Sequence, residues 1–488
     1  MKTSQGGFYR SSLALLTDLY ELTMAYGYWK LGMMDQKAAF SLFFRRRPFQ
    51  GSFAIAAGLE TAIEFIQNFQ FEDSDLSYLE KLKTYNGKPL FEQGFLDYLK
   101  DFSFQCDIDA MVEGTPVFPY EPLLIVRGPI LHAQLLESSL LNIINFQTLI
   151  ATKASRICCA AEGDEVIEFG LRRAQGIDGA LSGTRASFIG GCHSTSNVIG
   201  GKHFGIPVKG THAHSWIMAF DQEKEAFEAY TRALPDNCIY LVDTYDTIKG
   251  VKHAIEVARA KGSKMLGVRI DSGDLAHLSI EVRNLLDEAG FQDAKIMASN
   301  ELDEMIIRDL KKQGCQINLW GVGTNLITAK DQPALDGVYK LSAIENEKGE
   351  WVHKIKISEQ IVKTTNPGIL QVRRFINHQG LYVSDMLYNM DKQPTGELDF
   401  IDPIDPTRQK KMPTDAKFKD LLIPIFRQGK CVYQSPSLQD IRSHTLAELE
   451  RFPSSVRRFL YPEPYFVGLE RSIYELKLKL IETIRDQS

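Results

Sequence analysis

Residues 238–299 read CIYLVDTYDTIKGVKHAIEVARAKGSKMLGVRIDSGDLAHLSIEVRNLLDEAGFQDAKIMAS, and their rhythm decides the fold class. Three β-prone apolar runs, CIYLVD (238–243), MLGVRID (265–271) and AKIMAS (294–299), alternate with stretches over 247–261 and 274–289 whose apolar residues recur at helical spacing. The runs end on Asp243, Asp271 and Ser299, a step of 28 residues each that suits right-handed crossovers in a parallel sheet. Outward from this block, VIEFG (166–170) opens the series and IPVKG (206–210) precedes a helix over 215–233. A helix over 301–313 and the run INLWGVG (317–323) close it. The expectation is an irregular βα barrel in an α/β protein, with no sequence repeat behind the structural one.

The flanks have another texture. Asp18 and Glu21 stand at capping-box spacing before a helix expected over 19–31, and AAFSLFF (38–44) reads as a strand running into Arg45, Arg46 and Arg47. Helical patterning returns over 59–100, and 107–129 breaks into short β-prone pieces between Gly and Pro. Beyond 335, GVYKLSAI, EKGEWVHKIKI, ILQVRRF and GLYVSDMLY share that texture, so N- and C-terminal segments are expected to build one discontinuous β-rich domain. The expected division is 1–130 for its N-terminal part, 131–334 for the barrel, 335–402 for its completion and 403–488 for a C-terminal extension. That extension, with helices near 437–451 and 469–485, is read as a small helical cap.

At 488 residues the chain exceeds one ordinary core, and 44% hydrophobic with 24% charged residues is a folded composition. A net charge of -6 argues against nucleic acid or an anionic membrane as partner and favours a small molecule. Seven scattered cysteines without a C-x-x-C pair indicate neither a disulfide framework nor a zinc site, which fits a reducing cytoplasm. The start, MKTSQGGFYR, lacks an apolar leader, and no run approaches the ~20 apolar residues of a membrane span.

In a βα barrel the carboxyl ends of the strands converge on one face, where active sites lie. Polar residues collect there: Thr211, His212 and His214, then Asp243, then Arg269 and Asp271, then Ser299, then Gly321, Gly323, Thr324 and Asn325. Asp246, Asp274 and Asn300 stand just before helices and are expected to cap them. Asp243 and Asp271 end apolar runs, where an unpaired carboxylate is costly, so each is expected to face a cation, a His or a metal. His212 and His214, at i and i+2, permit two readings: a metal pair of a barrel hydrolase, or one working His oriented by a neighbouring Asp. Gly323 and Thr324 open a helix, a preferred place for phosphate, and Phe169 with Arg172 and Arg173 offers an aromatic shelf beside guanidiniums.

At these residues the sequence resembles the nicotinate phosphoribosyltransferase family. TDLYELTMAYGYW (17–29), FFRRRPF (43–49), EFGLRRAQGIDGA (168–180), GTHAHSW (210–216), VDTYDT (242–247), GVRIDSGDL (267–275), SNELDE (299–304) and GVGTNL (321–326) are similar to its motifs, in order. The resemblance implies a homodimer joining nicotinate to phosphoribosyl pyrophosphate, with Mg2+ on the phosphates and ATP hydrolysis coupled through a phosphorylated histidine. It assigns that histidine to His214, with Asp243 holding its tautomer. It implies that Phe169 and a Tyr20 from the partner subunit sandwich the pyridine ring, that Arg269 or Arg172 takes the carboxylate, and that Asp271 holds the ribose hydroxyls or Mg2+. Gly323 and Thr324 then resemble a 5′-phosphate cradle. Ser196 stands where nicotinamide-using relatives carry an Asp that would repel a carboxylate. Ser299 has no assigned role. The alternatives are a metal-dependent hydrolase on His212 and His214 and a non-catalytic binder of phosphate ligands.

Overall fold

The computed structural model describes residues 13–262, 264–360 and 363–487; the opening MKTSQGGFYR lies outside them. Two compact units emerge, Ile150–Pro333 and the pair Met1–Leu149 with Ala334–Ser488.

Within Ile150–Pro333, six parallel strands run in the order Ser194–Thr195, Glu165–Glu168, Leu319–Val322, Lys295–Ala298, Met265–Ile270, Cys238–Leu241. The last strand in sequence pairs with the first, Trp320 opposite Val166, so the sheet is wound as a barrel is. Ile167, Met297 and Leu319 fill its inside, with Phe169 and Ile239 packed against them, a core rather than a pore. IPVKG is not a strand: it makes a single bridge, Val208 to Thr195, because Pro207 brings no N–H to continue the ladder.

Of the four helices expected after the strands two differ, and Gly176–Ile189 and Val198–Phe204 are helices that the periodicity did not place. The expected 215–233 helix is two, His214–Met218 and Glu223–Ala233, the second led in by Glu223 and Glu225. Asp246 and Asp274 cap Thr247–Lys261 and Leu275–Glu288 by accepting from Lys249 N and His277 N. For the next helix, Asp303 and not Asn300 is the cap, accepting from Met305 N and Ile306 N, so the helix is Glu304–Lys312. Glu304 is buried, where its carboxylate meets Lys153 at 2.6 Å and Arg156 at 2.8 Å. Burial alone would raise its pKa; the two cations outweigh that and hold it below the usual carboxylate range.

In the other unit, a seven-stranded antiparallel sheet takes strands from both segments, in the order Trp351–His353, Gly337–Glu345, Lys37–Phe44, Leu124–Pro129, Asp107–Met111, Leu422–Arg427, Lys430–Cys431. A second, six-stranded sheet uses only C-terminal strands, with Gln409–Met412 and Lys417–Asp420 at its two edges. Residues 403–488 are therefore not a separate helical cap. Lys410, Lys411, Lys417 and Lys419 lie on these edge strands, and charge of that kind is what keeps sheet edges from pairing further. The tail's helices, Leu438–Glu450 and Arg471–Gln487, do form.

The first helix, Leu19–Lys30, carries no capping box. Asp18 instead accepts from the Ser138 hydroxyl at 2.8 Å and Glu21 from the Ser138 N–H at 2.9 Å, so both carboxylates serve the first turn of Glu137–Ala160. All seven cysteines are free thiols. Among the described residues no helix is long and apolar enough to cross a membrane.

Candidate active site

The carboxyl ends of the adjacent strands Cys238–Leu241, Met265–Ile270 and Lys295–Ala298 bring four of the expected residues together: His214, Asp243, Arg269 and Asp271. The two histidines differ in kind. His212 is buried at 8% exposure; its Nε2 accepts from Leu241 N at 3.2 Å, which leaves the proton on Nδ1, 3.4 Å from Ala213 O. Burial lowers its pKa to about 4, and Tyr230 packs edge-on to its ring at 4.7 Å. With both ring nitrogens committed to backbone, His212 is a structural histidine and cannot share a metal with His214. Among the described residues no group of three or more His, Cys, Asp or Glu is placed to hold a metal ion.

His214 starts the His214–Met218 helix with its side chain 40% exposed. Its Nδ1 lies 3.1 Å from the Thr244 hydroxyl, and its Nε2 3.6 Å from Asp271 Oδ2, a charge neighbour rather than a hydrogen bond. Asp243, expected to hold His214, does not. Its Oδ2 accepts from Asp271 N at 2.8 Å and the Ser272 hydroxyl at 2.7 Å, and its buried Oδ1 has no partner among the described atoms. The swap follows from chain direction: on leaving the strand, Asp243 points along the turn into 271–272, and Thr244, one residue on, faces the imidazole.

Arg269 is gripped on three sides, by Ser299 Oγ at Nε (2.7 Å), Thr211 Oγ1 at Nη1 (3.1 Å) and Asp271 Oδ1 at Nη2 (3.3 Å). Its guanidinium stands 5.6 Å from the centre of the Phe169 ring. Arg172 and Arg173 are exposed on the short turn Leu171–Arg173. Behind Phe169, buried Glu168 accepts from Thr184 (2.9 Å), Thr195 (2.6 Å) and Gly170 N, which locks the shelf to two other elements. Burial raises its pKa, and those donors oppose the rise. Ser196 lies beside it, its N–H donating to Glu168 O at 2.9 Å. Gly321 has a packing reason: a Cβ there would come within 2.8 Å of the Phe169 ring. Gly323 caps only the four residues Thr324–Ile327, and the Thr324 hydroxyl is 3.3 Å from Glu301 Oε1. Tyr20, on Leu19–Lys30 in the other unit, is 45% exposed.

Sequence reasoning missed Thr244, Glu168 and the part played by Ser299. A carboxylate inside EVIEFG was the available signal for Glu168. Hydroxyls carried none, since Ser and Thr are common at strand ends.

Comparison with known proteins follows the same lines. Three sequence profiles match: the nicotinate phosphoribosyltransferase N-terminal domain over residues 15–145, the nicotinate phosphoribosyltransferase family over 165–380 and its C-terminal domain over 370–477. The chain is 46% identical to nicotinate phosphoribosyltransferase of Bacillus subtilis, covering 99% of this chain and 98% of that one. It is 32% identical to the human protein of that name, over 95% of each. The crystal structure of human nicotinic acid phosphoribosyltransferase superposes with a TM-score of 0.82 at 29% identity, covering 95% of this chain and 99% of the human one.

Proposed function

The chain belongs to the nicotinate phosphoribosyltransferase family and is a phosphoribosyltransferase acting on nicotinate, and from that premise we propose that ATP hydrolysis is coupled to the transfer through phosphorylation of His214. The reaction joins nicotinate to 5-phosphoribosyl 1-pyrophosphate, gives nicotinate mononucleotide and pyrophosphate, and opens NAD salvage from nicotinate. The observation that carries this reading is the Arg269 guanidinium 5.6 Å from the Phe169 ring, beside an exposed imidazole.

Phe169 offers its face to the flat pyridine ring. Arg269 has five N–H donors and commits three, which leaves two for the nicotinate carboxylate, so it suits that role better than exposed Arg172. Ser196 keeps negative charge away from that carboxylate. Neutral imidazole is a nucleophile, so His214 takes the γ-phosphoryl group with ADP leaving, and the Asp271 carboxylate 3.6 Å away stabilises the cationic ring. Hydrolysis of the N–P bond returns the imidazole and releases phosphate.

Mg2+ is usually held by one or two carboxylates plus substrate phosphates, and the residues fit it in that way. Asp243, with its partnerless Oδ1, is the better donor, since Asp271 Oδ1 is already taken by Ser299 and Arg269. Asp243 would hold Mg2+ there, and the ion would supply positive charge to the pyrophosphate leaving group. The 5′-phosphate role of Gly323 and Thr324 falls to backbone N–H groups, because the Thr324 hydroxyl faces Glu301. The enzyme works as a homodimer in which Tyr20 of one protomer covers the ring held by Phe169 of its partner, and seven free thiols fit a cytoplasmic setting.

The test is product formation from nicotinate and from nicotinamide, with and without ATP. Nicotinate use at least tenfold above nicotinamide use, stimulated by ATP, is the expected result. Phosphoribosyl pyrophosphate binding without turnover would instead make the protein a binder.

A further inference from the structure

We infer that Ser299 is a positioning residue that ties nicotinate recognition to the histidine chemistry; the inference rests on the roles proposed for Arg269 and His214. Ser299 follows the strand Lys295–Ala298 and is buried at 3% exposure, its N–H donating to Ile270 O at 3.0 Å. That backbone bond sets its hydroxyl between two charged groups of the neighbouring strand end. The Oγ accepts from Arg269 Nε at 2.7 Å and donates to Asp271 Oδ1 at 2.5 Å.

One hydroxyl therefore does two things. At Arg269 it fixes the plane of the guanidinium against the Phe169 ring, with Thr211 holding the opposite side. At Asp271 it occupies Oδ1, so the other oxygen, Oδ2, is the one turned toward His214 Nε2. A carboxylate drawing the guanidinium out of plane, or an arginine swinging toward its substrate, would each be felt at the other through this oxygen. The direct contact between Arg269 and Asp271, 3.3 Å, is the longer and weaker link. Ser299 thus carries the orientation signal between ring binding and imidazole, and it touches neither substrate nor phosphate itself.

The experiment compares the wild type with Ser299→Ala, Ser299→Thr and His214→Ala, reading the KM for nicotinate, the KM for phosphoribosyl pyrophosphate, and nicotinate mononucleotide formed per ATP hydrolysed. Ser299→Ala is expected to raise the nicotinate KM roughly tenfold, the scale of a hydrogen bond to a charged group, and to lower product per ATP severalfold. The KM for phosphoribosyl pyrophosphate stays within about twofold. Ser299→Thr, which keeps the Oγ, restores both. A loss in kcat alone, or a change in only one of nicotinate KM and coupling, overturns the inference, as does a Ser299→Thr variant no better than Ser299→Ala. If the wild type itself hydrolyses ATP independently of nicotinate and as fast as His214→Ala, the phosphohistidine reading has failed; a coupled wild type beside a fully coupled Ser299→Ala sinks only the role of Ser299.

Discussion

Two residues apart in sequence, His212 and His214 have opposite environments, and the difference predicts separable phenotypes. Replacing buried His212 by Ala orphans Leu241 N–H and opens a cavity beside Tyr230, which should cost about 2–4 kcal/mol in urea unfolding. His214→Ala, at a 40% exposed position, should stay within about 0.5 kcal/mol of wild type yet lose ATP stimulation. A pH series adds a check. The folded pKa of His212 is about 4, below its value in the unfolded chain, so on acidification the unfolded state takes up this proton first. Its contribution is complete above about pH 6.5 and is lost as pH falls toward 4, with a slope of up to about 1.4 kcal/mol per pH unit. His212→Phe should flatten the stability curve in that window relative to wild type; parallel curves would show that His212 does not titrate as its burial demands.

At the scale of elements, the loops after the strands are where sequence reading and structure part. The Glu304–Lys312 helix depends on Asp303, which takes two N–H groups, and on Glu304, which meets Lys153 and Arg156 in a buried cluster. Asp303→Ala should cost about 1 kcal/mol by thermal unfolding, and Glu304→Ala about 3–5 kcal/mol because two buried cations lose their counter-charge. The strands themselves were legible in sequence because an apolar run flanked by helical periodicity has few other solutions, as in CIYLVD and MLGVRID. The cap at Asp303 was not, since Asn300 and Asp303 are both good caps and only the loop, pinned by Asn325 to the carbonyls of Glu301 and Leu302, decides between them. The same limit applies at the site. Asp243 and Asp271 could be singled out as charges in apolar surroundings, whereas the choice of Thr244 over Asp243 as the contact of His214 depends on which way two consecutive side chains leave a strand. Gly321 gives a further check on the shelf. A Cβ there meets the Phe169 ring at 2.8 Å, so Gly321→Ala should raise the nicotinate KM several-fold while the KM for phosphoribosyl pyrophosphate changes by less than about twofold.

For the whole molecule, the Met1–Leu149 and Ala334–Ser488 segments form one unit whose central pairing sets Ala39 opposite Ala343, so neither segment can complete that sheet without the other. The first helix, Leu19–Lys30, belongs to that unit and leaves Leu19, Tyr20 and Met24 exposed, an apolar face of the kind that is covered in an assembly. If Tyr20 completes the ring site of a partner protomer, the two halves of the site can be separated genetically. Tyr20→Ala and Phe169→Ala homodimers should each be strongly impaired. Co-expressed, they form mixed dimers in which both substitutions fall in one site and the other site has its native Tyr20 and Phe169. Because a two-fold assembly of equally expressed subunits is half mixed, and half of the sites in a mixed dimer are intact, activity should return to about a quarter of wild type. A Tyr20 acting within its own chain gives no such recovery, since every site would then carry one of the two lesions, and the co-expressed sample would be no more active than the average of its parents.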